Sequence, residues 1–199
     1  YSKQEPTMSG SYKRDMTRII VDIDNTLWDF ATPFWKKIEH HGVPRPSEWT
    51  GDFWKDYFTV EQFLRYIDEV HGEQDARALP FPGAADFLAA LKKSGCHITI
   101  ASHRNPASRG VTETWLKAHG LAFDGLYVGP DKTVLFDDHH AIVDDSAELL
   151  DKAATRGLVT AGLRYPWNRD SGHYLFESLS DILVYLTKQR VIAGEAMQP

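Results

Sequence analysis

The sequence predicts an α/β fold: a doubly wound parallel sheet with helices on both faces and a small helical segment inserted after the first strand. From residue 18 onward, short β-branched runs alternate with stretches of helical spacing, the pattern of a parallel sheet covered by helices. Residues 29–81 interrupt that alternation and hold no convincing strand. The 199 residues, 42% of them hydrophobic, suffice for one core with a small appendage, because a domain of this size buries roughly 70% of its unfolded surface.

Arg18–Ile23 reads as the first strand. In the segment that follows, Phe34, Trp35 and Ile38, then Phe63, Leu64, Ile67 and Val70, recur at helical spacing. It would project from the carboxyl end of strand one, where open α/β sheets bind ligands. Pro82-Gly83 opens a helix whose Phe87, Leu88 and Leu91 share a face, and Gly95 closes it. His97–Ala101 is the second strand. A helix through Val111, Trp115 and Leu116 ends at Gly120 and leads to a third strand, Leu126–Val128. Ala141–Val143 is the fourth, followed by a helix from Ser146 through Leu149 and Leu150 to Gly157, and Leu158–Gly162 is the fifth. A last helix spans about Ser180–Arg190. These elements divide the chain into a Rossmann-like core (18–28 and 82–190), a helical insertion (29–81) and two tails (1–17 and 191–199).

Charge and composition exclude several classes of function. With 22 Lys and Arg against 28 Asp and Glu, and no basic stripe, the chain has little electrostatic affinity for a nucleic-acid polymer. No apolar run approaches the ~18 residues of a membrane span, and residues 1–17 lack the apolar stretch of a secretory signal. The single cysteine, Cys96, cannot form an internal disulfide, so a cytoplasmic location is expected. A small anionic ligand needs only one local positive site and stays open. The oligomeric state is not legible.

The run Ile19-Ile20-Val21-Asp22-Ile23-Asp24 delivers two carboxylates where a buried strand ends. At period two, Asp22 and Asp24 would share a face and reach one small volume. Such a pair suits a hard divalent cation such as Mg2+, or a division of labour between a nucleophile and a general acid and base. A turn cap with Asn25 and Thr26 is the other reading of Asp24. Ser102 follows the second strand and could donate to a phosphate oxygen, with His103 and Arg104 beside it. Lys132, in the turn Gly129–Thr133, could neutralise charge on a phosphoryl group. Asp144 and Asp145 end the fourth strand, where one could complete a metal site while the other caps the helix or orients the first. The Asp137-Asp138-His139-His140 run reads as a solvated loop, and His40-His41 as a helix C-terminus.

Taken in this order, Asp22-Ile23-Asp24-Asn25-Thr26, Ser102, Lys132 and Asp144-Asp145 resemble the four motifs of the haloacid dehalogenase-like (HAD) superfamily of Asp-nucleophile phosphohydrolases, over roughly residues 18–188. The resemblance implies that Asp22 attacks phosphorus and forms an aspartyl-phosphate. Asp24 would protonate the leaving oxygen and then activate water. Mg2+ would be held by the Asp22 carboxylate, the Asp24 main-chain carbonyl and an acid of the Asp144-Asp145 pair, while Ser102 and Lys132 would hold the phosphoryl group. Asp24 must be protonated for the first step, so burial and acidic neighbours are expected to raise its pKa.

The insertion then resembles the family's C1 cap. Among its rings, Trp49, Trp54 and Phe58 surround the Gly51-Asp52 turn and could stack a planar base, although such rings also build a lid's own core. Pro82-Gly83, Thr114-Trp115-Leu116, Phe123-Asp124, Asp131-Lys132-Thr133 and Tyr165-Pro166-Trp167-Asn168 are similar to the 5'-nucleotidase and deoxyribonucleotidase branch, whereas Asn25 stands where that branch usually carries Gly. The expectation is a Mg2+-dependent phosphomonoesterase acting on a small phosphorylated metabolite such as a nucleoside monophosphate. A phosphotransferase or phosphomutase, or a non-catalytic phosphate- or metal-binding regulatory domain, are the alternatives.

Overall fold

The computed structural model describes residues 16–45 and 53–192. Its strands are β1 (Arg18–Val21), β2 (His97–Ser102), β3 (Gly125–Val128), β4 (Ala141–Val143), β5 (Val159–Leu163) and β6 (Leu175–Phe176). All pair in parallel in the order β3-β2-β1-β4-β5-β6. The direction of winding reverses between β1 and β4, which makes their carboxyl ends the expected ligand crevice.

Buried on both faces, the central strands read as continuous apolar runs. Ile19 and Val21 point into one core cluster, and Ile20 and Ile142 into the other. The first cluster includes Phe87, Leu88 and Leu91 of α3 (Ala84–Lys93), Trp115 and Leu116 of α4 (Arg109–Ala118), and Ile182 and Leu186 of α6 (Leu179–Lys188). The second holds Leu149, Leu150 and Ala153 of α5 (Ala147–Thr155). Helices therefore cover both faces, as the alternation predicts.

The strands and turns depart from the sequence reading at several points. β1 ends at Val21, two residues early, because the amides of Thr26, Leu27 and Trp28 all turn back onto the Ile23 carbonyl. Asn25 takes up the resulting left-handed backbone, at φ 57°, which Asn tolerates better than most side chains. Lys132 opens a 3-10 helix, Lys132–Asp138, and is buried. The two-residue β6 is too short to carry a periodicity signal.

Residues 29–81 contain α1 (Ala31–His40) and α2 (Val60–Gly72), with a 3-10 turn at Phe53–Asp56. Thr59 and Gln62 form a reciprocal capping box at the start of α2. Lys37 ties the two helices together through Glu69 at 3.0 Å and Glu73 at 2.6 Å. The segment leaves and rejoins the core at one place, where the Phe81 amide donates to the Leu27 carbonyl at 2.8 Å. Residues 1–15 and 193–199 of the expected tails lie outside the described residues. His41 sits at the C-terminus of α1, whereas His139 is buried and bonded to the Leu135 carbonyl and Thr99 Oγ1, not solvated as expected. Its neighbour His140 accepts from the Arg18 amide.

Candidate active site

Register brings the first two acids together. Val21 pairs with Val143, so the next residues, Asp22 and Asp144, lie side by side at the ends of β1 and β4. The ladder continues through them: the Asp22 amide donates to the Val143 carbonyl at 2.9 Å, and the Asp144 amide to the Ala161 carbonyl at 3.1 Å. The buried Lys132 ammonium bridges the pair, 2.5 Å from Asp22 Oδ1 and 2.7 Å from Asp144 Oδ2. Asp144 Oδ1 accepts the Ser146 amide at the start of α5, at 2.9 Å.

Asp145 completes the cluster, and one carboxylate oxygen each from Asp22, Asp144 and Asp145 lies within 4.8 Å of the others. Both donors to Asp145 fall on Oδ2: Asn25 Nδ2 at 3.1 Å and Trp167 Nε1 at 3.0 Å. Oδ1 is then the oxygen left for a cation. Trp167 stacks on Tyr165 at 4.3 Å, and the Tyr165 hydroxyl donates back to the Asn25 carbonyl at 2.8 Å. This closed ring fixes the orientation of Asp145.

The electrostatics fit a cation at this point. Burial raises the Asp22 pKa well above the usual carboxylate range; Lys132 lowers it, but the charges of Asp144, Asp24 and Asp145 add to the rise. Burial and the charge of Asp144 push Asp145 up to about 7. The Lys132 ammonium is held above its ordinary value: burial opposes its charge, but Asp144 and Asp22 outweigh burial. Three converging carboxylates share one buried ammonium, so a hard cation with oxygen ligands would relieve the remaining repulsion. The donor set suits such an ion.

Asp24 does not join that cluster. Because the chain leaves the strand after Val21, its carboxylate turns toward β2 and α2 instead. Arg104 grips it with a fork, Nη2 to Oδ1 at 2.6 Å and Nε to Oδ2 at 3.2 Å. Ser102 Oγ donates to Oδ2 at 3.2 Å, and His71 Nε2 lies 3.0 Å from the same oxygen. The expected rise in the Asp24 pKa is therefore reversed. Burial does push it up, but the Arg104 guanidinium and His71 outweigh burial and hold it far below the ordinary range.

Two other predicted phosphate contacts are likewise engaged elsewhere. Arg104 is buried and also donates to Gln74 Oε1 at 2.5 Å and Thr112 Oγ1 at 3.0 Å, so its charge is matched to Asp24. His103 is exposed and faces a separate groove with Pro130, Asp131 and Lys152.

Beside the acids opens a cavity of about 450 Å3, with Asn25 and Asp145 at one end and Phe30, Phe34, Phe63, Trp54 and Trp167 among its walls. Trp54 stacks on Phe63 at 4.4 Å, where it can flank a ligand. Phe58 packs edge-on against Tyr66 at 5.0 Å and does not line the cavity, so it belongs to the core of the insertion. Trp49 lies outside the described residues.

Sequence reasoning missed His71, Gln74 and Gly162. Ile67, Val70, His71 and Gln74 share the i, i+3, i+4, i+7 stripe of a buried face, and two polar residues on such a stripe were the available signal. Gly162 stands beside Asp144 in β5, where an added Cβ would lie 2.2 Å from the Asp144 carbonyl oxygen. Nothing local in the sequence marks that contact.

No protein-family model matches the sequence, and no curated protein does. Solved structures do share the fold. A haloacid dehalogenase-like hydrolase from Streptococcus pneumoniae is 18% identical, with a TM-score of 0.63 over 86% of this chain and 98% of its own. A predicted phosphoglycolate phosphatase from Haemophilus somnus is 20% identical, with a TM-score of 0.59 over 85% and 97%. A HAD family hydrolase from Deinococcus radiodurans, with bound phosphate and sodium, is 15% identical, with a TM-score of 0.58 over 90% and 99%. At these identities the likeness is one of fold.

Proposed function

We propose that this protein is a Mg2+-dependent phosphomonoester hydrolase that works through an aspartyl-phosphate on Asp22, with a nucleoside monophosphate as the first candidate among small phosphorylated metabolites. The observation that carries this reading is the convergence of Asp22, Asp144 and Asp145, at the ends of two adjacent strands, around the buried Lys132, with Asp145 also lining a ring-walled cavity. Asp22, Asp144 and Asp145 would hold the ion, and all-oxygen carboxylate donors favour Mg2+ over softer metals. When bound, it supplies positive charge to the phosphoryl oxygens.

In the first step an Asp22 oxygen attacks phosphorus as the ester P–O bond breaks, and the leaving oxygen takes a proton from Asp24. In the second, water attacks phosphorus, its proton passes to Asp24, and the Asp22–phosphorus bond breaks to release phosphate. Asp24 as held here is ready for the second step. A phosphate dianion brought beside it raises its proton affinity toward what the first requires. Lys132 keeps Asp22 and Asp144 from repelling each other while this happens.

On this reading α1 and α2 form a C1-type cap. The cavity volume lies within the range of small-molecule sites, and its ring walls suit a planar leaving group, each base–ring contact being worth about 1–3 kcal/mol. A small-molecule partner, with neither polymer nor membrane, and a cytoplasmic location belong to the same reading. Among the described residues, no helix is long and apolar enough to cross a membrane.

The test is phosphate release from nucleoside monophosphates, sugar phosphates and p-nitrophenyl phosphate, with and without Mg2+, for wild type and Asp22→Asn. The expected result is Mg2+-dependent turnover that the substitution abolishes, with nucleotides preferred. Preference for sugar phosphates would overturn the substrate assignment, and transfer without free phosphate would make the protein a phosphotransferase or phosphomutase.

A further inference from the structure

We propose that His71, near the C-terminal end of α2, is the positioning residue for the Asp24 carboxylate, so that one hydrogen bond aligns the helical insertion with the acid/base group. This rests on the phosphomonoesterase reading above. Of the groups among the described residues that hold Asp24, Ser102 and Arg104 come from β2 and its loop, and His71 alone comes from the insertion, 47 residues along the chain.

The distribution of donors selects an oxygen. Ser102 Oγ, Arg104 Nε and His71 Nε2 all address Oδ2, whereas among the described residues only Arg104 Nη2 addresses Oδ1. A carboxylate oxygen offers about two lone-pair sites. Oδ2 is therefore saturated, and Oδ1 is left to exchange a proton with a leaving group or a water. Without His71, the carboxylate keeps its donors from β2 and the following loop, but its position is no longer tied directly to that of α2.

His71 is built for this one contact. A carboxylate only accepts, so Nε2 carries a hydrogen in this contact. Nδ1 is buried without a protein partner, a state that costs about 1–3 kcal/mol unless water reaches it. The Phe30 ring packs on the imidazole at 4.9 Å and fixes its plane. Gln74, on the same stripe, holds the Arg104 guanidinium, so the insertion sets both ends of the fork. An apolar residue at position 71 would pack without leaving a buried polar atom unpaired, so core stability does not explain the histidine.

The experiment compares kcat/KM for an alkyl phosphate, whose leaving oxygen needs a proton, with that for p-nitrophenyl phosphate, whose leaving group does not. In His71→Ala the alkyl-to-aryl ratio should fall about tenfold, part of the 10²–10⁴-fold that general acid catalysis supplies. Asp24→Asn should lower the ratio further, and His71→Gln, which restores a donor, should recover part of it. Equal losses on both esters, or none, would overturn the positioning role. A wild type inactive on both esters would sink the phosphomonoesterase reading itself, and this proposal with it. If His71→Ala fails to fold, 15N spectra of the wild-type histidine rings decide. The His71 ring should carry a hydrogen on Nε2 and should shift in Asp24→Asn, and a ring with its hydrogen on Nδ1 alone overturns the assignment.

Discussion

Replacing Gly162 by alanine sets a methyl group against the main chain of the site. Val143 and Ala161 are register partners, so residue 162 lies beside Asp144. The new Cβ would stand 2.2 Å from the Asp144 carbonyl oxygen and 3.3 Å from Leu175 Cδ2. Real contacts essentially never fall below 3.0 Å, so the strands must part by about 0.8 Å or more. The obstacle is backbone and cannot rotate away. Overpacking of this kind costs about 1–3 kcal/mol, and a melting temperature moves roughly 2–4 °C per kcal/mol in a chain of this length. The displacement reaches Asp144 and, through it, Lys132. A misplacement of about 1 Å in a reacting constellation can cost about 10²-fold in rate. Gly162→Ala should therefore lower kcat/KM about 100-fold while lowering the melting temperature by only several degrees. Phosphate release and thermal unfolding on the same sample measure both. A variant with wild-type rate and melting temperature would refute the argument that close packing at Gly162 sets the acidic cluster.

Lys132→Met leaves the buried carboxylates of Asp22 and Asp144 facing each other, and stability should drop by about 3–5 kcal/mol. Added Mg2+ should then raise the melting temperature more in the variant than in wild type, and equal shifts would count against a shared charge balance. Asp124 bonds Lys92 and the Ile98 amide, which together outweigh burial and hold its pKa below the ordinary value. Its stabilisation is present above about pH 4, the unfolded value, and is lost as pH falls through the lower folded value. Asp124→Asn should thus be destabilised at pH 7, with a gap to wild type that closes in acid; denaturant titrations at both pH values would expose a constant gap as the contrary result. Trp54→Ala removes a stacked cavity wall, so KM for a nucleoside monophosphate should rise about tenfold. KM for glycerol phosphate should stay the same, and a parallel rise would show that the ring is structural.

The acids at the ends of β1 and β4 were legible because each follows a short apolar strand, and parallel register does the rest: Val21 beside Val143 dictates Asp22 beside Asp144. Lys132 was legible as a residue but not as a buried one, since a 3-10 helix has no strong sequence period. Asp24 was misjudged in charge because its controlling partner, Arg104, is 80 residues away and was assigned to phosphate. The cavity wall was half legible: Trp54 and Phe58 look alike in sequence, and only the packing of Tyr66 separates them. Gly162 acts through a main-chain contact across strands, which no local pattern encodes.

The bond between Leu27 and Phe81 means that more than fifty residues begin and end at a single point of the core. To the sheet, the whole segment is equivalent to a tight turn, and the entropy of closing so long a loop grows only with the logarithm of its length. A lineage could therefore lengthen, shorten or exchange the segment and keep the strands, the acids and Lys132 in register. Such an exchange would remove His71 and Gln74 together and leave Asp24 to Ser102 and Arg104 of the core.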